Sequence, residues 1–265
     1  MAAHRLGKFP FQRVFVLMVV AFSSFPLFVL IPVSLNTSSQ LAMPTDGITL
    51  DWYRKVAFDT GFPQAALTSL SIALGATVLA LVVGGMAAWG ITRPNFRWAQ
   101  PIEAFLLSPL VLARVVYGVA MLLVLSQMGL IRTLSGLIVA HVVIVIPYIV
   151  RVIGASLLHS ARAVEEAASI LGAKQLQVIR FITIPMVRPA IIAAAVFSFI
   201  ISFDEFTMTV FLAGPQTRTL PVEMFRYVSF VVDPAVAAVS VLLIGMSAVV
   251  ITIVERTVGL DRLFK

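Results

Sequence analysis

The sequence contains no cysteine, only three histidines and few charged residues. Without cysteine the chain has no disulfide, no thiolate nucleophile and no thiolate metal ligand. Charged residues make up 12% of the 265 residues, whereas a soluble domain averages about 25%. Hydrophobic residues make up 60% of the chain. Because apolar surface on this scale needs lipid, the composition predicts a membrane protein.

Catalytic groups are also scarce. The three histidines, His4, His141 and His159, lie far apart in the sequence and form no i, i+4 pair. Asp204 and Glu205 are the one adjacent acidic couple in an apolar run, and neighbouring helix positions point about 100° apart. An intramembrane enzyme would need paired catalytic groups or a metal cluster, and a channel would need polar rings from symmetric subunits. Both remain alternative functions, and no catalytic or metal site is predicted.

Six apolar runs are long enough to cross a membrane, which takes roughly 20 mostly apolar residues in a helix. They lie at Val14–Val33, Ala66–Ile91, Ile102–Met128, Leu134–Leu158, Val187–Leu212 and Ala235–Val254. The first run follows basic residues like a signal peptide, but its length and the lack of a small-residue cleavage site predict a retained anchor. The predicted fold class is an all-α membrane protein with six transmembrane helices.

The distribution of lysine and arginine predicts the orientation, because cytoplasmic loops hold the excess of these residues. With the N-terminus inside, 13 of the 19 basic residues lie on the cytoplasmic side, five lie outside and Arg114 lies within a span. Both termini are therefore predicted to be cytoplasmic. The outer segment from Thr37 to Thr60 is predicted to be a loop with a short amphipathic helix near Trp52. Nucleic-acid binding is not indicated, because no basic soluble module with interleaved aromatics is present.

A charged, alanine-rich segment separates the fourth and fifth predicted spans, and from Glu165 it reads EEAASILGAKQLQVIRFITIPMVRP. The glutamates at its start suit the first turn of a helix, where the dipole favours carboxylates. Gly172 predicts a break, after which a second short helix runs through Lys174 to Ile182 and ends at Pro185. On composition alone, the segment is equally consistent with a solvated linker.

The spacing within this segment resembles the EAA loop of ATP-binding-cassette (ABC) importer permeases. In that signature Glu-Ala-Ala is followed after three residues by Gly and, nine residues later, by Ile-x-Leu-Pro. The matching residues are Glu166, Ala167, Ala168, Gly172, Ile182 and Pro185. Ile184 stands where leucine is usual, which is a swap of similar volume.

The likeness covers nearly the whole chain, from Val14 to about Val254. The run Ser202-Phe203-Asp204-Glu205-Phe206 and the later Gly214-Pro215 and Thr219-Leu220-Pro221 are similar to the fifth span and outer loop of spermidine/putrescine-type permeases. Leu50-Asp51-Trp52-Tyr53 is similar to the same branch. One departure is Ala113-Arg114, where these permeases usually have a proline and no charge.

The resemblance implies the type I ABC importer permease fold, with a single permease domain over residues 1–265, a core at about 14–254 and a coupling loop at about 162–185. The residues implied to couple to the ATPase are Glu165, Glu166, Ala167, Ala168, Gly172, Ile182 and Pro185. Implied partners are a second, related permease, two cytoplasmic ATPase subunits and an external or periplasmic substrate-binding protein, all at the bacterial inner membrane. The sequence has no G-x-x-x-x-G-K-[ST] phosphate loop, so ATP and Mg are assigned to the partner ATPase and no cofactor to this chain.

Polar residues inside the spans are candidates for a substrate path, because ionisable groups in a membrane usually face the bundle interior or a wet cavity. On a continuous fifth span, Ser198, Ser202, Glu205 and Thr209 fall on one stripe, with Asp204 about 100° away. The predicted path comprises Arg114, Tyr117, His141, Tyr148, Ser198, Ser202, Asp204, Glu205 and Thr209.

Two interpretations of these groups stay open. Arg114 either forms a structural ion pair with Glu205 or Asp204, or faces the cavity and recognises an anionic group. In the second case, an acid and a base together suit a zwitterion such as an opine, an amino acid derivative or an aminophosphonate, whereas a polyamine needs carboxylates and aromatics only. For His141, a hydrogen-bonded packing role is preferred over a substrate ligand.

Overall fold

The computed structural model describes residues 10–44, 47–58, 60–93, 96–160 and 162–258. Within these ranges the regular structure is helical, apart from one isolated antiparallel bridge between Asn36 and Ile48. The predicted all-helical class is therefore confirmed. The helices are α1 (Pro10–Ser34), α2 (Asp51–Phe58), α3 (Phe62–Ile91), α4 (Ala99–Leu107), α5 (Arg114–Gln127), α6 (Leu134–Ser160), α7 (Arg162–Ile170), α8 (Gln175–Val178), α9 (Ile184–Phe203), α10 (Thr209–Leu212), α11 (Leu220–Phe230) and α12 (Ala235–Val258).

The chain divides into two compact units, and the first contains the described residues up to Pro63 together with Met224–Thr252. The loop after α1 folds onto α2, since the Trp52 indole N–H donates to the carbonyl of Asn36 at 2.6 Å. This short helix confirms the amphipathic helix predicted near Trp52. The apolar side chains of α1 are mostly exposed, as expected of a helix that is covered by lipid or by another chain.

The second unit is formed mainly by Gln64–Glu223, and α3, α6 and α9 supply most of its core. Gly84 of α3 lies so close to α6 that a Cβ atom there would stand 3.1 Å from Ile149 Cγ2. Small residues at such contacts allow membrane helices to pack closely. The helices of this core therefore fit together through small residues, and they position the polar groups described below.

Among the described residues, four helical stretches are long and apolar enough to cross a membrane, and these are Arg13–Ser34, Phe62–Ile91, Leu134–Leu158 and Gln175–Phe203. A fifth candidate is the bent pair of α4 and α5, and a shorter apolar stretch of α12 covers Ala235–Val249. The fifth predicted span starts earlier than expected, because α8 continues through a π-helical segment, Ile179–Thr183, into α9. The prediction that Pro185 ends the short helix was wrong, since proline is tolerated in the first turn of a helix and lies there in α9.

The third predicted span, Ile102–Met128, is broken. The stretch Ala99–Leu110 is bent by 105° relative to α5. Pro109 lies in a 3-10 turn at the break, and Ala113 has an extended backbone immediately before α5. The expected continuous helix was therefore wrong, and Arg114 is the first residue of α5 instead of lying in mid-helix.

The fifth predicted span, Val187–Leu212, is broken as well. Helix α9 ends at Phe203, and residues 204–208 form a loop before α10. The Glu205 carboxylate accepts a hydrogen bond from the Met208 N–H at 3.0 Å, so a side chain satisfies a backbone donor that a continuous helix would have paired. The predicted single helical stripe through Glu205 and Thr209 was therefore wrong.

Candidate functional site

The first candidate site is the α7–α8 segment, which we define as Arg162–Val178. Glu165 lies in the first turn of α7 as predicted. The helix ends at Ile170 and is followed by a turn at Gly172, whose φ of +88° is a left-handed conformation that favours glycine. The amide N–H groups of Gly172 and Ala173 close the end by donating to the carbonyls of Ser169 and Ala168, both at 3.0 Å. The sequence thus encodes two short helices with a fixed turn between them.

The predicted coupling residues differ in exposure. Glu166, Ala167, Gly172 and Pro185 are exposed, Ala168 and Ile182 are half-buried, and Glu165 is buried. Two large apolar side chains at the turn, Ile170 and Leu171, are 85% and 88% exposed. The exposed surface of the segment therefore combines the Glu166 carboxylate, several apolar groups, the Lys174 ammonium and polar side chains.

A groove of about 670 Å³ runs beside this segment. Trp89 and Arg93 line it from the end of α3, and Glu165, Glu166 and Gln175 line it from α7 and α8. The Arg93 guanidinium lies over the Trp89 ring, 4.5 Å from its centroid. It also donates to Glu165 at 2.5 Å. In the sequence Arg93 counts only as one of the 13 basic residues on the predicted cytoplasmic side, and its contact with the α7–α8 segment was not predicted.

The second candidate site lies where the two broken helices meet. Arg114 begins α5 and Glu205 lies in the loop after α9, and the Arg114 guanidinium donates to the Glu205 carboxylate in a salt bridge. The Glu205 side chain is 1% exposed, whereas that of Arg114 is 48% exposed. The structure therefore brings the predicted pair together and leaves part of the guanidinium accessible.

A small cavity of about 170 Å³ adjoins the exposed part of Arg114. Tyr117 and Tyr148 line it together with apolar side chains of the break and of α6. The Tyr117 hydroxyl donates to the Ala140 carbonyl at 3.2 Å, which fixes the ring. Three of the predicted path residues thus surround one cavity: a half-exposed cation and two tyrosines.

His141 forms a separate cluster with two other predicted residues. One ring nitrogen is 2.8 Å from the Ser202 hydroxyl and the other is 3.0 Å from the Thr209 hydroxyl. All three side chains are buried. Both ring nitrogens are therefore occupied within the bundle, which is the arrangement preferred from the sequence for His141.

Two predicted path residues join neither group. Asp204 is exposed at the end of α9, and its carboxylate has no hydrogen-bond or ion-pair partner in the part of the chain that the structure describes. Ser198 is buried, and its hydroxyl likewise lacks a partner among the described residues. No group of three potential metal-ligating side chains occurs in the described ranges.

Comparisons with known proteins agree with the resemblance seen in the sequence. The chain is 28% identical to the spermidine/putrescine transport system permease protein PotC of Haemophilus influenzae, over 94% of this chain and 96% of that protein. It is 32% identical to the putrescine transport system permease protein PotI of Escherichia coli, over 91% of this chain and 88% of that protein.

The fold agrees with a solved structure of a bacterial ABC transporter involved in the import of the acidic polysaccharide alginate. The TM-score is 0.68 at 16% identity, with 98% of this chain and 97% of that chain covered. The family profile described as "Binding-protein-dependent transport system inner membrane component" matches residues 80–258. The chain belongs to this family and is a permease subunit of an ABC transporter, a transport component of the inner membrane and not an enzyme.

Proposed function

We propose that this chain is the membrane-spanning subunit of an ATP-driven importer that moves a small amine-bearing solute into the cytoplasm by alternating access. The observation that carries the proposal is the exposed surface of the α7–α8 segment. Ile170 and Leu171 are almost fully exposed and lie outside the candidate spans, so neither belongs to a predicted membrane crossing. Exposed apolar side chains of this kind mark an interaction surface, which we assign to a protein contact.

The partner at this surface is a cytoplasmic ATPase subunit. Glu166 supplies a carboxylate beside the two apolar side chains, which suits a basic and apolar pocket on the partner. The complete transporter has this chain, a second and related permease, two ATPase subunits and an external substrate-binding protein. An enzyme or a channel without an ATPase is not favoured, because the family transports solutes with a binding protein.

The membrane arrangement that we propose has six spans. Four are the long apolar helices, the fifth is the bent pair of α4 and α5 taken as one broken crossing, and the sixth is α12. Broken helices within a membrane are tolerated where protein covers the freed backbone groups or where they line a cavity. Six crossings place both termini and the α7–α8 segment on one side of the membrane, and the excess of lysine and arginine on that side assigns it to the cytoplasm.

An amine on the solute is supported by the relatives, whose names assign spermidine and putrescine to them. Asp204 supplies the matching anion in this chain, since its carboxylate is exposed at the end of α9. The Glu205 carboxylate is less suited, because it is buried and already accepts hydrogen bonds from Arg114 and Met208. This assignment reverses the preference for Glu205 that a continuous helix would favour.

An anionic group on the solute is supported by Arg114. Its guanidinium has five N–H donors and is half-exposed beside the tyrosine-lined cavity. A free polyamine has no group that would use these donors. We therefore favour a zwitterion, such as an opine, an amino acid derivative or an aminophosphonate, over a simple polyamine.

The test is uptake by the complete transporter in proteoliposomes, with putrescine and a panel of zwitterionic amines as solutes. ATP hydrolysis that rises with one solute identifies it, and Arg114→Gln should then raise the apparent KM at least about tenfold if the guanidinium binds the anionic group. Glu103→Gln on α4 is a control for loss of charge outside the site. If Arg114→Gln, Asp204→Asn and Glu205→Gln all import the native solute with unchanged KM, the proposed substrate path is wrong.

A further inference from the structure

Two adjacent glutamates in the α7–α8 segment have different surroundings. Glu166 is exposed and suits a contact with a partner, whereas Glu165 is only 6% exposed. Burial of a carboxylate is costly unless hydrogen bonds compensate for the lost water. The contacts of Glu165 therefore show what this side chain holds together.

The Glu165 carboxylate joins three helical segments. One oxygen accepts from the guanidinium of Arg93, two residues beyond the end of α3, at 2.5 Å. The other oxygen accepts from the Thr183 hydroxyl, at the end of the π-helical segment, at 2.5 Å. Thr183 is itself buried. The Glu165 side chain of α7 thus contacts both the segment that follows α3 and the segment that leads into α9.

The π-helical segment makes this contact mechanically relevant. π-helical turns are rare and occur frequently at functional sites, and Ile179–Thr183 is placed directly before α9. Both contacted segments adjoin helices of the core, because α3 and α9 each contribute buried residues to the core of the second unit. One carboxylate of α7 therefore contacts residues that adjoin two core helices.

We propose that Glu165 is a positioning residue, which ties α7 to α3 and to the π-helical segment so that the three move as one body when the ATPase displaces α7. The movement rests on the proposed function, in which α7 contacts the ATPase. The contacts of Glu165 with Arg93 and Thr183, which we call the tie, lie within this chain and do not depend on the ATPase. Glu165 then holds α7 against the end of α3 and the π-helical segment, and Glu166 contacts the ATPase.

The tie is tested by hydrogen exchange on the full chain in lipid nanodiscs. Glu165→Gln and Arg93→Met should each speed exchange of the α7 amides 166–170 about tenfold, because the first replaces the charged hydrogen bond between these residues with a weaker neutral one and the second removes it. Thr183→Val, which removes the other connection, should speed it less. Glu166→Gln is the matched control, since it changes an exposed carboxylate and should leave α7 exchange unaltered.

The double variant Arg93→Met/Glu165→Gln shows whether the two residues act through one shared contact or destabilise α7 independently. If the two residues act through one contact, the double variant should exchange no faster than the faster single variant. Additive effects, or unchanged α7 exchange in Glu165→Gln, would overturn the tie. The milder Glu165→Asp and Thr183→Val variants supply the same comparison if Glu165→Gln does not fold, as judged by exchange of the α6 amides.

Transmission is tested in the complete transporter by spin labels, which the absence of cysteine in the chain permits. Labels at Ala163 on α7 and at Gly90 on α3, where a Cβ meets open space, report the separation of the two helices. The wild type should keep one distance distribution in the ATP-free and vanadate-trapped states, whereas Glu165→Gln should broaden or shift it on trapping. If Glu165→Gln behaves as the wild type does, transmission through Glu165 is wrong.

The two proposals fail in different ways. If the Glu166→Gln and Ile170→Ser variants still bind the ATPase subunit as the wild-type chain does, the proposed contact with the ATPase is wrong. The result of hydrogen exchange on Glu165→Gln is then unaffected. If those variants no longer bind the ATPase subunit but hydrogen exchange of α7 is unchanged in Glu165→Gln, the proposed role of Glu165 is wrong. The proposed contact with the ATPase is then supported.

Discussion

At the scale of single residues, His141 illustrates how this bundle holds a polar group. Its ring nitrogens contact Ser202 and Thr209, which lie on either side of the break after α9. The histidine therefore connects the two pieces that a continuous helix would have joined through its backbone. Polar side chains that bond across helices are common in membrane bundles.

We expect His141→Leu to lower stability by about 1–2 kcal/mol, because it leaves two buried hydroxyls without a partner. The thermal unfolding midpoint of the full chain in nanodiscs measures this effect. Met121→Leu serves as a control of similar volume in a half-buried position. An unchanged midpoint, together with a large rise in the apparent KM for the solute, would instead make His141 a substrate ligand.

A second residue-scale prediction concerns pH and the first unit. The pKa of Lys55 lies above its ordinary value of 10.5, chiefly because its ammonium donates a hydrogen bond to Asp233 at 2.7 Å. Burial raises the pKa of the Tyr227 hydroxyl, which also donates to Asp233, above its ordinary value of 10.0. In both cases the folded chain holds its proton to a higher pH than the unfolded chain does.

The sign of the pH dependence follows directly. A group with a raised pKa contributes its full stability below the unfolded pKa and loses it as pH rises through the folded pKa. The unfolding midpoint should therefore be level from pH 7 to 9 and fall above pH 10. The fall should be shallower in Tyr227→Phe and in Lys55→Met, measured against the same pH series of the wild type. An equally steep fall in both variants would contradict the prediction.

At the scale of elements, the turn at Gly172 tests how α7 and α8 are joined. A Cβ at this position would meet no atom within 4 Å, but the φ is +88°. Gly172→Val therefore strains the backbone although its Cβ would not touch a neighbouring residue, since a β-branched residue strongly disfavours positive φ. We expect normal membrane levels with lost transport. Gly172→Asn is the control, because asparagine tolerates this conformation and should retain most transport. Equal activity of the two variants would show that the turn geometry does not matter.

The breaks in the third and fifth spans show where prediction from the sequence stops. Pro109 is a local signal for a kink, but Val111, Leu112 and Ala113 after it are apolar and do not predict a bend of 105°. The break positions Arg114 against Glu205, a residue 91 positions further along the chain. Hydropathy and helix propensity describe one segment at a time, so neither predicts that Arg114 pairs with Glu205. The same reason explains why Arg93 and Thr183 were not recognised as partners of Glu165.

At the scale of the whole molecule, the features that were predicted well are those fixed by local composition. The runs Val14–Val33, Ala66–Ile91 and Leu134–Leu158 fall inside α1, α3 and α6, because a long apolar helix is specified by its own residues. The helix pair with Gly172 at its turn was predicted for the same reason. The family followed from the fixed spacing of that segment, whereas the solute depends on side chains that meet across helices.

The crossing number is the whole-molecule property that most needs a direct test. The bent pair of α4 and α5 is either one broken crossing or a re-entrant hairpin, and the two arrangements place later segments on opposite sides of the membrane. Because the chain has no cysteine, single cysteines can report each side by reaction with a membrane-impermeant maleimide. Suitable positions are Leu50, which is 68% exposed before α2, and Lys174, which is exposed at the start of α8.

We expect Leu50→Cys to react in intact cells and Lys174→Cys to react only after the membrane is opened, because α3, the broken pair and α6 make three crossings between them. A cytoplasmic reporter fused after Lys265 should be active, since α9 and α12 add two more. Reaction of Leu50→Cys and Lys174→Cys from the same side would make the bent pair re-entrant and the six-span arrangement wrong. Wild-type membranes treated alike control for background labelling, and uptake by each variant shows that it is assembled.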